Sequence, residues 1–312
     1  MAESYHWTLE MNLVSDGRLS ELNRENLLLD GATGTELNRR GIDTRVPLWS
    51  ARALTSDQGL QVLRQVHRDY LEAGATVLTA NTFRTHRRAL ANTGYDSQSL
   101  TRLAVEAARD AIEQWGGEAA RVAGSLSPLE DCYRPDQVPS EKACRTEHAE
   151  RLQHLADAGV DLIVIETMNS IREAVIAAQL AVATGLPTWV CFVCGQDGRI
   201  LSGESVALAA ESLLPLGINA IGVNCAPADS LEIPLTELRA FCGPEFPLVA
   251  YGNIGYADAT NGWVNTDAVD PDVYVRYAEH WPAQILGGCC GTTPAHIRRL
   301  HDWRYGHGRE SH

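Results

Sequence analysis

The sequence predicts an α/β fold, a (β/α)8 barrel in a single domain, from three observations. Short apolar, β-branched runs recur eight times along the chain. Each run is continuous rather than alternating, the pattern of strands buried on both faces, as in parallel sheets. Between the runs lie amphipathic stretches long enough to be crossover helices. The 312 residues suit this architecture, since such barrels take roughly 250 residues or more. A doubly wound open sheet is the alternative. Its Gly-x-Gly-x-x-Gly fingerprint is missing after the first strand, where Gly31-Ala32-Thr33-Gly34 comes closest and lacks the spacing.

Taken in order, residues 1–24 are a preface, residues 25–305 the barrel and residues 306–312 a tail. The predicted strands are Asn26–Asp30, Thr76–Asn81, Arg121–Ser125, Asp161–Glu166, Thr188–Val193, Ala220–Asn224, Pro247–Tyr251 and Gln284–Gly288. Helical patterns occupy Gln58–Ala73, Ser99–Trp115, Thr146–Ala158, Ser170–Thr184 and Ser205–Leu214. Gly74, Gly159, Gly185 and Gly217 stand between a helix and the next strand, where a left-handed residue ends a helix. Leu126–Ser140, with three prolines, reads as a long loop over the barrel mouth, and Gly252–Pro271 as a second.

Composition narrows the function. A net charge of −14 argues against nucleic acid or an anionic membrane as the partner. No apolar run approaches the roughly 20 residues of a membrane span. Residues 1–16 carry no signal-peptide core, which leads us to expect a cytoplasmic protein. Eight cysteines in this length are not a disulfide scaffold. Cys191 and Cys194, three apart on one strand, fall on opposite faces and read as core. Cys132, Cys144 and Cys242 show no pattern of their own. The oligomeric state is open between monomer and small homo-oligomer.

In such a barrel the active site lies at the C-terminal ends of the strands. Asp30, Asn81, Glu166, Asn224-Cys225, Asn253 and Cys289-Cys290 end six of the predicted strands and would converge on one pocket. Two adjacent cysteines after Gly287-Gly288, with a third at the end of an earlier strand, suggest three thiolates around one metal. Three soft ligands without an evident fourth describe a zinc with an open position, because structural zinc usually closes its shell with four protein ligands. Cys242 and His296 could complete a structural site by residue type. His296 follows Thr292-Thr293-Pro294, however, a helix start, which places it on the helix that follows, outside the barrel.

Several blocks resemble those of the homocysteine S-methyltransferase family. They are Asp30-Gly-Ala-Thr-Gly-Thr35, Ala80-Asn-Thr-Phe83, Glu166-Thr167, Gly222-Val-Asn-Cys225 and Gly287-Gly-Cys-Cys-Gly-Thr-Thr-Pro294. The resemblance runs in order from residue 26 to about residue 300. It implies a zinc-dependent (β/α)8 barrel that methylates the sulfur of homocysteine to give methionine, with Cys225, Cys289 and Cys290 as the ligands of Zn2+. Zinc deprotonates a bound thiol, which makes homocysteine nucleophilic near neutral pH. Asp30 and Glu166 then suit the substrate ammonium, and backbone N–H groups of the Gly31–Thr35 turn, with Thr33 and Gly34, its carboxylate. Asn81, Asn224 and Asn253 are further candidates for orienting substrate.

The methyl donor is less legible. Folate- and cobalamin-binding domains have no room in the chain, and a betaine-type oligomerisation extension is not evident. The expectation is therefore a sulfonium donor, S-methylmethionine or S-adenosylmethionine. Betaine, dimethylsulfoniopropionate, a methylcorrinoid on a separate protein and a different thiol acceptor stay as alternatives. Arg84-Thr-His86-Arg87-Arg88 is a basic patch where a cationic donor prefers aromatics or carboxylates. Tyr256 follows Gly255 where sulfonium-using relatives lead us to expect glutamate. Tyr133, Tyr251, Tyr256 and Trp263, on the expected mouth loops, could wall a cationic methyl group.

Overall fold

A computed structural model describes residues 27–116, 120–258, 260 and 262–306. The preface 1–24, the first two residues of the expected barrel (Glu25 and Asn26) and residues 307–312 of the tail lie outside the described residues. Seven parallel strands form one curved sheet: β1 (Val77–Ala80), β2 (Arg121–Leu126), β3 (Leu162–Met168), β4 (Thr188–Phe192), β5 (Ala220–Pro227), β6 (Leu248–Asn253) and β9 (Ile285–Gly288). The predicted first strand closes the sheet into a barrel. Leu28 bridges Leu286 of β9, and Leu29 bridges Val77 of β1, both in parallel.

Among the described residues that strand bridges its neighbours at Leu28 and Leu29, and Asp30 shows why it ends where it does. Its backbone still pairs, with Asp30 N–H donating to Val77 O and Gly288 N–H to Asp30 O. The next donor on β1, Thr79 N–H, is taken by the Asp30 side chain at 2.9 Å. A carboxylate thus replaces the backbone ladder, and the chain turns away into the first loop. The expected loop Gly252–Pro271 is partly a hairpin, another departure from the sequence reading. β7 (Gly255–Asp258) pairs antiparallel with β8 (Gly262–Asn265), and Gly262 takes a left-handed φ of 71° at the turn.

Alternation along the strands sorts side chains into two packed layers. Leu29, Val77, Val164, Trp189, Cys191 and Val249 fill the barrel interior, while Val190, Phe192, Ile221 and Leu248 pack outward against the helices. Cys191 therefore belongs to the inner layer and Cys194 to the outer one, both as core residues. The helices begin where short polar side chains cap them: Ser56, Asp96, Ser140 and Ser205 each accept a backbone N–H three residues on. The glycines expected to end helices, at 74, 159, 185 and 217, all have positive φ.

Candidate metal centre

β5 and β9 flank β6, so Cys225 and the Cys289-Cys290 pair face each other across Asn253. The Asn253 side chain holds both. Its Nδ2 donates to Cys225 O at 2.9 Å, and its Oδ1 accepts from Cys290 N at 2.9 Å. Cys225 sits in the left-handed region at φ 56°, where the β5–β6 register shifts between Asn224 and Pro227. A non-glycine residue held there is strained and points its side chain out of the ladder. The three sulfurs lie within 4.8 Å of one another, and the Cys225 and Cys290 sulfurs are 3.7 Å apart. Zinc–sulfur bonds of about 2.3 Å at tetrahedral angles need sulfurs roughly 3.8 Å apart. The donor set fits zinc.

The thiols behave as one unit. The Cys225 thiol is held well below its ordinary pKa, chiefly because Cys289 and Cys290 donate hydrogen bonds to its thiolate. Those two are pushed up in turn, because sharing a proton with Cys225 favours their neutral forms. The Tyr133 hydroxyl lies 3.1 Å from the Cys225 sulfur. Three sulfurs gathered this closely are a soft donor set of the kind zinc takes.

Thr292 ties this turn to the first loop. Its hydroxyl donates to Cys289 O at 2.8 Å and accepts Ala32 N–H at 3.1 Å. Both glycines beside it are obligatory: a Cβ on Gly288 would stand 2.4 Å from the Thr292 hydroxyl, and one on Gly31 2.8 Å. The helix that follows the loop, Thr33–Arg39, starts without a side-chain cap. Its first N–H groups are therefore free of an intramolecular side-chain acceptor.

A cavity of about 390 Å³ opens above the sulfurs, lined by Asp30, Gly31, Thr33, Gly34, Asn81 and Glu166 among others. Burial pushes Asp30 up to about 8, against the Thr79 bonds that lower it, and Glu166 adds to the rise. Burial likewise pushes Glu166 up to about 7, although Ser125 and Tyr251 donate to it. The Tyr251 bond is 3.0 Å. Asn81 anchors its amide on Ser50 O at 2.9 Å.

Asn224 and Asn253, read from the sequence as substrate-binding candidates, do not line the cavity. Asn224 is fully buried, its Oδ1 accepting Thr167 N–H and its Nδ2 donating to Thr167 Oγ1. Both amides are spent on backbone and neighbours, because each strand end makes a sharp turn whose polar groups need partners. Tyr251 is not on a mouth loop either. It lies inside the barrel on β6 and reaches Glu166. Tyr256 is 44 % exposed and stands off the cavity.

Around the mouth, Trp49, Phe83, Tyr133 and Trp263 line the cavity. Trp49 and Phe83 meet edge to face with centroids 5.6 Å apart. Trp49 is not singled out by the sequence, Phe83 enters only as the end of the Ala80–Phe83 block, and Cys132, buried in the same wall, shows no pattern of its own. Loop residues carry no periodic signal, so only the three-dimensional path could find them. Arg87 pairs with Glu150, and Arg88 with Glu130 and Glu147, on the outer surface. His86 caps the short helix Arg87–Leu90. His296 forms a capping box with Thr293 and bonds Ala268 O, away from the sulfurs, and Cys242 is not part of the cluster.

The profile of a family described as homocysteine S-methyltransferase matches residues 27–303. Homocysteine S-methyltransferase 4 of Zea mays is 31% identical over 306 residues, covering 88% of this chain and 87% of that protein. Selenocysteine Se-methyltransferase of Brassica oleracea var. italica is 30% identical over 312 residues, with 88% and 87% covered. The crystal structure of the homocysteine methyltransferase MmuM from Escherichia coli, in metallated form, superposes with a TM-score of 0.77 at 29% identity. That match covers 90% of this chain and 97% of the other.

Proposed function

The chain belongs to the homocysteine S-methyltransferase family, and from that premise we propose that it moves a methyl group from a sulfonium donor to the thiol of L-homocysteine. S-methylmethionine or S-adenosylmethionine would serve as donor, and methionine would be a product. The observation that carries this reading is the three-sulfur cluster facing two buried acids across one cavity. Cys225, Cys289 and Cys290 would hold zinc, which when bound supplies the Lewis acidity that keeps a substrate thiol deprotonated. Residues 25–305 would be the catalytic domain.

The chain's own side chains supply recognition. Asp30 and Glu166 are held partly neutral by burial, so an arriving ammonium would be met by carboxylates that ionise to pair with it. Free N–H groups opening the Thr33–Arg39 helix, with Gly31 and Gly34 leaving the backbone bare, suit the substrate carboxylate. Asn253 and Asn224 would act as positioning residues that fix the strand ends rather than touch substrate. In the transfer, a sulfur lone pair of homocysteine forms the new S–CH3 bond as the donor's S–CH3 bond breaks. The electron pair of that bond stays on the donor sulfur, which leaves as a neutral thioether. No general acid is needed, and the chief demand is alignment.

A second acceptor class, a selenol, is favoured by the likeness to the Brassica enzyme. The test is a donor and acceptor panel on zinc-loaded protein. Methionine should appear from homocysteine with S-methylmethionine or S-adenosylmethionine. Product only from betaine or a methylcorrinoid protein would move the donor class, and none from any pair would end the methyl-transfer reading.

A further inference from the structure

Three arginines follow Phe83 in close succession, and they do different things. Arg87 and Arg88 are neutralised by Glu150, Glu130 and Glu147 on the outer surface. Arg84 faces the other way and lines the cavity. Among the described residues no hydrogen bond or ion pair engages it, and it is the one basic side chain lining that cavity. Asp131, an acid in the same wall, is turned to its own loop, where Oδ1 accepts Tyr133 N–H at 2.9 Å.

The turn that carries Arg84 is fixed on both sides. Thr82 Oγ1 donates to Ser125 O at 2.9 Å, and Ser127 Oγ donates to Phe83 O at 2.8 Å. Thr85 Oγ1 meets Thr101 Oγ1 at 2.8 Å. A partly buried guanidinium on a fixed turn, without an acid, is set for a planar anionic group from a ligand. The neighbouring wall supplies Trp49, Phe83 and Tyr133, which suit a cationic methyl group. One ligand carrying both features is a zwitterion.

We propose that Arg84 is a specificity-determining residue of this chain that binds the carboxylate of the methyl donor. This rests on the methyl-transfer reading above and adds the residue that recognises the acid end of the donor. The aromatic wall holds the onium head toward the sulfurs, and Arg84 holds the acid tail at the rim. The negative charge of the protein as a whole and the two acids below make this lone cation the discriminating group.

Calorimetric titration of zinc-loaded protein with dimethylsulfoniopropionate, with its primary amide and with trimethylsulfonium tests the idea. Wild-type protein should bind the carboxylate form about 10- to 100-fold more tightly than the amide, the range of a charge-assisted bond. Arg84→Gln should lose that preference and Arg84→Lys keep part of it. In steady state with S-methylmethionine, Arg84→Gln should raise the donor KM and leave the homocysteine KM unchanged. Equal discrimination in Arg84→Gln overturns the proposal, and so does a rise confined to the homocysteine KM. The calorimetric comparison needs no turnover, so absence of methyl transfer from every donor would count against the function while leaving the Arg84 result readable.

Discussion

The floor and the mouth of the cavity are built on opposite terms. On the floor, Asn253 binds both cysteine-bearing backbones, Thr292 joins the cysteine turn to the first loop, and Asn224 locks the end of β3 to the end of β5. The side chains of Asn253, Thr292 and Asn224 are each spent on protein partners there. At the mouth, the aromatic side chains come from separate segments between the barrel strands, and among the described residues no hydrogen bond or ion pair engages Arg84. The difference teaches where precision is needed: a metal ligand set tolerates little displacement, whereas a rim that selects a donor keeps its bonding capacity for the ligand.

The largest effect should come from breaking the floor at its centre. Cys289→Ala should lose bound zinc and methyl transfer together while the barrel stays folded, as metal analysis, an activity assay and circular dichroism would show. Loss of the fold instead would make the cluster structural. Asn253→Ala, which leaves the cavity lining intact but removes the bonds to the Cys225 and Cys290 backbones, should weaken zinc affinity by about 10- to 100-fold, as removal of a supporting bond does elsewhere. Chelator competition measures it, and an unchanged affinity would mean that Cys225 and Cys290 are held without it.

Asp30→Asn probes the wall between the two regions. It should raise the homocysteine KM by about 10-fold or more through loss of one charge-assisted bond of ~1.5–3 kcal/mol. It should also alter stability. The folded carboxyl is raised from 3.8 to about 8, so the folded protein keeps a proton that the unfolded chain releases. That contribution to stability is complete below about pH 4 and is lost as pH rises through about 8. Denaturant unfolding of ligand-free protein at pH 5, 7 and 9 should show Asp30→Asn gaining on wild type as pH rises. Tyr133→Phe, at the seam between floor and mouth, removes one hydroxyl contact to the Cys225 sulfur. Its effect on homocysteine KM should stay within about 5-fold, the size of an ordinary hydrogen bond.

The same contrast explains what was readable in the sequence. The floor is made of residues that end apolar runs, so barrel strands, Cys225, Cys289-Cys290, Asp30 and Glu166 could be placed from pattern alone. Their partners could not. Ser125 and Tyr251 reach Glu166 from β2 and β6, and only barrel closure makes those strands face one another. The roles of Asn224 and Asn253 went to backbone turns, because a register shift after Asn224 leaves carbonyl and amide groups to satisfy. Trp49 opens the short 3-10 helix Trp49–Thr55 and Phe83 lies in a turn, where neither period 2 nor period 3.6 marks a direction. Arg84 drew notice in the sequence together with Arg87 and Arg88, and only the surface acids separated them.

The closing strand of the barrel has a mechanical consequence. Seven staves run four residues or more, while the eighth, among the described residues, is joined to its neighbours at Leu28 and Leu29 and ends in Asp30. A cylinder yields first at its shortest stave, so local opening should begin along the line between β9 and β1. A molecule gripping Asp30 on one side while sitting over Cys289 on the other spans that line like a rivet. Deuterium uptake at the amides of Leu29, Asp30 and Gly288 should therefore slow together when the acceptor amino acid binds, reporting the tightening of a hoop rather than the shielding of a pocket.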